Sequence, residues 1–219
     1  MDDGMTEIEA KMLEFRLAYQ GLLLASDEDD TKSKHKHDIR RYLHKQLVKL
    51  WETKEPLNSF RGSVFTMEEG GIRVTETGAE RIAGTHSYNG KSFLPIVRKE
   101  WSLVCALDIL ILRRDYFPII NSGDLDNRVK TLLDALRVPK PNEFSEGDEK
   151  PLCCLLEDDK FISELKVTAD LLLAPPEQIV DSPHINTFGE ATVKVNHALV
   201  LIHAQVKPTR VNYGNLGFV

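Results

Sequence analysis

Two short stretches of this sequence carry residues that could do chemistry together. The first is Gly123-Asp124-Leu125-Asp126-Asn127-Arg128-Val129-Lys130. Asp126 and Lys130 are four apart, so on a helix they are neighbours on one face. Asp124 lies just before that helix, at the end where the helix dipole favours negative charge. The second is Leu155-Leu156-Glu157-Asp158-Asp159-Lys160, whose carboxylates follow an apolar run and would emerge at a strand end. If that strand lies beside the helix, Asp159 can face Asp124 and Asp126. Three carboxylates held so close repel one another. A hard divalent cation, which takes oxygen ligands, relieves that repulsion. Mg2+ keeps several waters, one of which can be the attacking nucleophile. Lys130 would neutralise charge developing on a phosphate, or position the scissile group. Each piece also has a plainer reading: Asp124 as a helix cap, Lys130 as a solvated lysine or half of an i,i+4 pair, and 157–159 as an exposed acidic turn.

The elements that would hold these residues can be read from periodicity. Leu125, Val129, Leu132, Leu133 and Leu136 form one apolar stripe, so residues 125–137 read as a helix, with Pro139 and Pro141 beyond its end. Residues 151–156 read as a short apolar strand, and 93–98, 101–113, 164–174 and 191–206 as further strands. Near the start, Phe15, Leu17 and Tyr19 alternate with Arg16, Ala18 and Gln20, the pattern of a strand with one buried face. Residues 37–51 carry Ile39, Leu43, Leu47 and Leu50 at helical spacing, and Pro56 follows. Residues 60–90, rich in glycine, read as short strands and loops. Strands and helices mix without strict alternation, which predicts an α+β fold. No linker divides the chain, so residues 1–219 are expected to form a single domain.

The net charge of −6 is spread unevenly. Residues 31–54 carry +6 and the remainder −12, before histidines are counted. Such asymmetry leaves room for a local phosphate-binding surface. The expected DNA contacts are Lys36, Arg40, Arg41, Lys45 and Lys49 of that segment, with Arg128 beside the acidic motif. A solvated basic helix face is the plainer alternative. His37 and His44 are two helical turns apart, too far for one tetrahedral zinc site. Cys105 and the adjacent Cys153 and Cys154 read as buried, reduced thiols. No apolar run reaches the roughly 20 residues a membrane helix needs, and no signal peptide is visible. A cytoplasmic location with no membrane partner is therefore expected.

The two acidic stretches together resemble the RusA-type Holliday junction resolvases. The family pattern of Asp-x-Asp-Asn, a lysine, an Asp-Ala-Leu ending the helix and a later Asp-Asp turn is matched by Asp124-Leu125-Asp126-Asn127, Lys130, Asp134-Ala135-Leu136 and Asp158-Asp159. The match covers residues 103–173, and residues 15–24 resemble the family's opening strand more weakly. Residues 27–90 and 139–150 are additions. The resemblance implies a RusA-like mixed sheet packed with helices, and a homodimer that cuts branched DNA in recombination or repair by Mg2+-dependent hydrolysis, with Mn2+ able to substitute. It implies Asp124, Asp126 and Asp159 as metal ligands, Lys130 as the catalytic lysine and Asp158 as a supporting acid. Two rival readings are a non-cleaving DNA-binding protein on the same fold and an Asp-x-Asp transferase that binds a metal–nucleotide.

Overall fold

The computed structural model describes residues 12–25, 30–69, 72–113, 124–141, 143, 150–173 and 197–218; a few side chains within the elements, Asp124 among them, fall outside that description. The fold is α+β, as the mixed periodicity predicts. Strand β1 (Leu13–Leu22) buries alternate residues, as one-sided alternation dictates. It pairs antiparallel with β9 (His197–Pro208), which pairs antiparallel with β6 (Leu103–Arg113); β6 pairs in parallel with β8 (Ile162–Leu171). The sheet order is thus β1-β9-β6-β8. Parallel strands need a crossover, and that between β6 and β8 carries helix α4 (Asp124–Leu136) and strand β7 (Leu152–Leu156). The part of the predicted 191–206 strand before His197 lies outside the described residues.

Helix α1 (Asp30–Thr53) is longer than the predicted 37–51. Its buried face runs through His35, His37, Ile39, Arg40, Leu43, His44, Leu47 and Trp51. The first turns of that face are histidines, which apolar periodicity counts as polar, so the helix start is hidden in the sequence. His35 Nε2 accepts the Leu24 N–H at 3.2 Å, and His44 Nδ1 accepts the Cys153 N–H at 2.9 Å. These histidines join α1 to β7 and to the end of β1.

The glycine-rich middle is more ordered than its sequence suggests. Helix α2 (Leu57–Gly62), the hairpin β2 (Val64–Glu69) with β3 (Ile72–Thr77), and helix α3 (Gly78–Thr85) follow in turn. Helix α3 was not expected. Its sequence signal is the capping box Thr77-x-x-Glu80, in which each side chain meets the other's backbone N–H. A Cβ at Gly78 would stand 2.1 Å from the Phe60 carbonyl oxygen, so only glycine permits that approach. Strand β4 (Ser87–Tyr88) and strand β5 (Lys91–Val97) form a second sheet with β7, in the order β4-β5-β7.

One core is shared by the four-stranded and three-stranded sheets, from Leu13 to Phe218. The Arg98 guanidinium lies 3.5 Å above the Trp101 ring, and Phe218 packs on the same ring. Burial pushes Arg98 down to about 9, with Glu100 and Glu157 opposing. Cys105, Cys153 and Cys154 are buried thiols outside any disulfide, as expected. Among the described residues no helix is long and apolar enough to cross a membrane.

Candidate metal and nucleic-acid site

Helix α4 divides its residues cleanly. Val129, Leu132, Ala135 and Leu136 are buried, while Asp126 and Lys130 are exposed one turn apart. Asp126 Oδ1 accepts the Asn127 N–H at 2.9 Å, and neither Asp126 nor Lys130 takes part in an ion pair among the described residues. The fold leaves both groups available to solvent. Asp124 is the first helical residue, and its side chain lies outside the described residues.

The second acidic stretch sits where strand β7 surfaces. All five residues of β7 are buried, and the chain then turns outward at Glu157. Glu157 Oε2 accepts the Lys99 N–H at 2.8 Å. Asp158 caps the 3-10 turn Asp159–Phe161, its Oδ1 accepting the Lys160 N–H at 3.0 Å. That backbone donor holds the Asp158 carboxyl below the usual carboxylate range, slight burial opposes it, and the Lys160 ammonium and a hydrogen bond from Asp159 add to the lowering. The two carboxyls are adjacent in the chain and both line one cleft. Like-charged groups in that relation favour a cation between them.

Asp158 and Asp159 open onto a cleft of about 590 Å³, lined also by Tyr88, Asn89, Glu157 and the chain from Arg137 to Pro141. Arg137 bridges Leu156 in parallel, and the Val138 N–H donates to the Leu156 carbonyl at 2.9 Å, so the exit of α4 runs along β7. Asp159 thus shares its cleft with the C-terminal exit of α4. Asp126 and Lys130 are not among the described lining residues. Ten residues separate Asp126 from the helix end, about 15 Å of helical rise. Among the described residues no group of three or more His, Cys, Asp or Glu stands at metal-binding separation. The structure therefore describes the predicted constellation as two carboxylate positions, Asp126 beside Lys130 and Asp158 beside Asp159.

The basic segment is split between interior and surface. Arg40 is 1% exposed; its Nη2 donates to the Asp134 carbonyl at 2.7 Å and its Nε to the Arg137 carbonyl at 3.3 Å. Arg128 is 4% exposed and donates to the Leu23 carbonyl. Both were expected to face DNA, and instead both tie helix to helix or helix to strand end. Lys36 reaches Asp134 at 2.6 Å, Arg41 is half-buried, and Lys45 and Lys49 are exposed. Of the expected contacts in this segment, Lys45 and Lys49 are the exposed ones.

Around Arg40 lies a buried ionic network. Arg137 donates to Asp134 Oδ1 at 2.8 Å and to Glu143 Oε1 at 3.1 Å. Glu143 Oε2 in turn accepts the Lys140 N–H at 3.1 Å, which closes the turn beyond α4. Burial alone would raise the Asp134 carboxyl, but hydrogen bonds from Lys36 and Arg137 outweigh it and hold it below the usual range. Tyr88, Asn89, Arg137, Lys140 and Glu143 were missed at the sequence level. The one available signal was the Asn89-Gly90 dipeptide, which marks a tight hairpin; both residues have positive φ, 51° and 69°.

Comparison of the chain with protein-family models, curated proteins and solved structures returns no match.

Proposed function

We propose that this protein is a Mg2+-dependent endodeoxyribonuclease of the kind implied by its resemblance to RusA-type Holliday junction resolvases, acting in the cytoplasm as a homodimer on branched DNA. The observation that carries the reading is the pair of adjacent carboxylates, Asp158 and Asp159, at a strand end in an open cleft. A second support is the exposure of Asp126 and Lys130 on one helix face, where neither serves the fold. Hard oxygen donors of this kind suit Mg2+. The ligands expected from sequence are Asp124, Asp126 and Asp159, with Asp158 in support; Asp158 and Asp159 line the cleft, and Asp126 stands ten residues before the end of α4 that borders it. The ion supplies a nucleophilic water and Lewis-acid polarisation of the phosphate. The chain's own contribution is positional. The α4 dipole favours the negative Asp126 end, and Lys130 presents a cation to the phosphate oxygens.

The test is cleavage of synthetic four-way, flap and linear DNA with Mg2+ or Mn2+. Asp126→Asn is expected to lower the rate by roughly a hundredfold or more, as loss of one electrostatic group at a reacting centre does. Its circular dichroism is expected to match the parent's, and DNA binding to be kept or improved, because a negative charge near the phosphates is gone. Full activity in Asp126→Asn, or no cutting of any substrate by the parent chain, would defeat the proposal. Tight binding without cutting would leave a non-cleaving DNA-binding protein in its place.

A further inference from the structure

The cleft beside Asp159 has a shape and charge arrangement that the two acidic motifs do not account for. One wall is acidic, formed by Asp158 and Asp159. Lys140 also lines the cleft; its backbone is held by Glu143, and its exposed side chain makes no ion pair among the described residues. Arg137 adds little free charge there, because Asp134 and Glu143 already neutralise it. The lining also includes the Tyr88 ring, tilted at 5.0 Å against Phe93, and Asn89 on its positive-φ turn. Pro141 adds an exposed apolar edge.

We infer that this cleft holds one unpaired nucleotide of the bound strand, next to the phosphate that is cut; this rests on the nuclease reading above. The volume of about 590 Å³ suits a single nucleotide. It does not suit a base pair with its two backbones. Lys140 takes the phosphate on the far side of that nucleotide, since the Asp158 and Asp159 carboxylates repel any phosphate not bridged by a cation. The base lies against Tyr88 and Pro141, where any base can stack because every base has a π-face. The Asn89 amide meets the base edge. A duplex must unstack a nucleotide to fill the cleft, whereas a branch point or flap offers one already unpaired. The cleft thus selects for branched or gapped DNA through Tyr88 and Asn89 of the addition at residues 27–90 and the turn at 137–141, not through the metal ligands.

The inference is tested by fluorescence anisotropy of labelled DNA on the full chain in EDTA, where cutting plays no part. Single-stranded and flap oligonucleotides are expected to bind more tightly than a blunt duplex. Lys140→Glu is expected to weaken single-strand binding about tenfold at low salt and to reduce the salt slope by about one. Lys207→Glu, the same charge change on an exposed residue of β9, is expected to leave binding unchanged. Asn89→Gly, which keeps the positive-φ turn, is expected to weaken flap binding while leaving the melting temperature intact. Equal binding of flap and duplex, no effect of Lys140→Glu, or an equal effect of Lys207→Glu would overturn the inference. So would binding of deoxyadenosine monophosphate without binding of any strand, which would make the cleft a site for free nucleotides. Loss of cleavage with these binding differences retained would sink the nuclease reading and leave a strand-binding cleft.

Discussion

Arg40 is the residue on which surface and interior readings diverge most. Its long basic side chain reads as a phosphate ligand, yet it is enclosed among two carbonyls and Glu143. Burying a guanidinium is costly unless its donors are met, and here they are met by the end of α4. Arg40→Ala would leave Glu143 and two carbonyls without their donor. Breaking a buried pair in this way costs about 3 kcal/mol. That corresponds to a melting temperature lower by about 6–12 °C for a chain of this size, readable by differential scanning calorimetry. Lys45→Ala, at an exposed position, is expected to shift stability by less than about 0.5 kcal/mol. The same network makes stability acid-sensitive. Asp134 has a folded pKa below its ordinary 3.8. Its contribution is therefore present above pH 3.8 and lost as pH falls through the lower, folded value. Urea midpoints at pH 7 and pH 3 check this: the parent is expected to lose stability on acidification, and Asp134→Asn, already weaker at pH 7, to lose less. An equal loss in both would show that Asp134 is not the group responsible.

At the scale of elements, helix α3 shows how a short helix survives in a glycine-rich stretch. Eight residues are too few to be stable alone, so the capping box and the contact at Gly78 must supply the rest. Gly78→Ala forces a methyl against the Phe60 carbonyl and is expected to cost about 2 kcal/mol, in the range of overpacking. A lower urea midpoint with an unchanged slope would register it; an unchanged midpoint would mean that α2 and α3 move apart freely. The Asn89-Gly90 turn has a comparable role, because it fixes where Tyr88 stands relative to the cleft. Helix α4 was readable almost to the residue, since an amphipathic stripe with prolines beyond its end leaves little choice. Strand β8 was also readable as a strand, but not as an edge strand exposed on most of its positions. Edge position depends on which strands pair with it, and that is not written in its own ten residues.

For the whole molecule, the central observation is that one buried cluster links β1, α1, α4, both sheets and the C-terminal turn. A shared core of this kind predicts one cooperative unfolding transition. Trp51 and Trp101 are both buried, with ring centroids 6.3 Å apart, so their fluorescence reports the junction of α1 with the Lys99–Trp101 turn. Fluorescence and far-ultraviolet circular dichroism are expected to change at the same urea concentration. Separate midpoints would mean that the β2–β3 and α3 region unfolds on its own and that the chain is not one cooperative domain.

Local pattern was enough to determine the α+β class, the course of α4, the strands around it, the buried thiols and the two acidic stretches as the residues worth asking about. Each of these depends on neighbours a few positions away, through a helical repeat of 3.6 or a strand repeat of 2. Tertiary structure alone decided which cations are internal, because Arg40 and Lys45 look alike until Asp134, Arg137 and Glu143 are brought against one of them. It also decided that Asp158 and Asp159 share a cleft with Tyr88 and Lys140, residues about 70 and 20 positions away in sequence. Contacts of that range are set by how two sheets and a crossover pack together, and no local repeat encodes them.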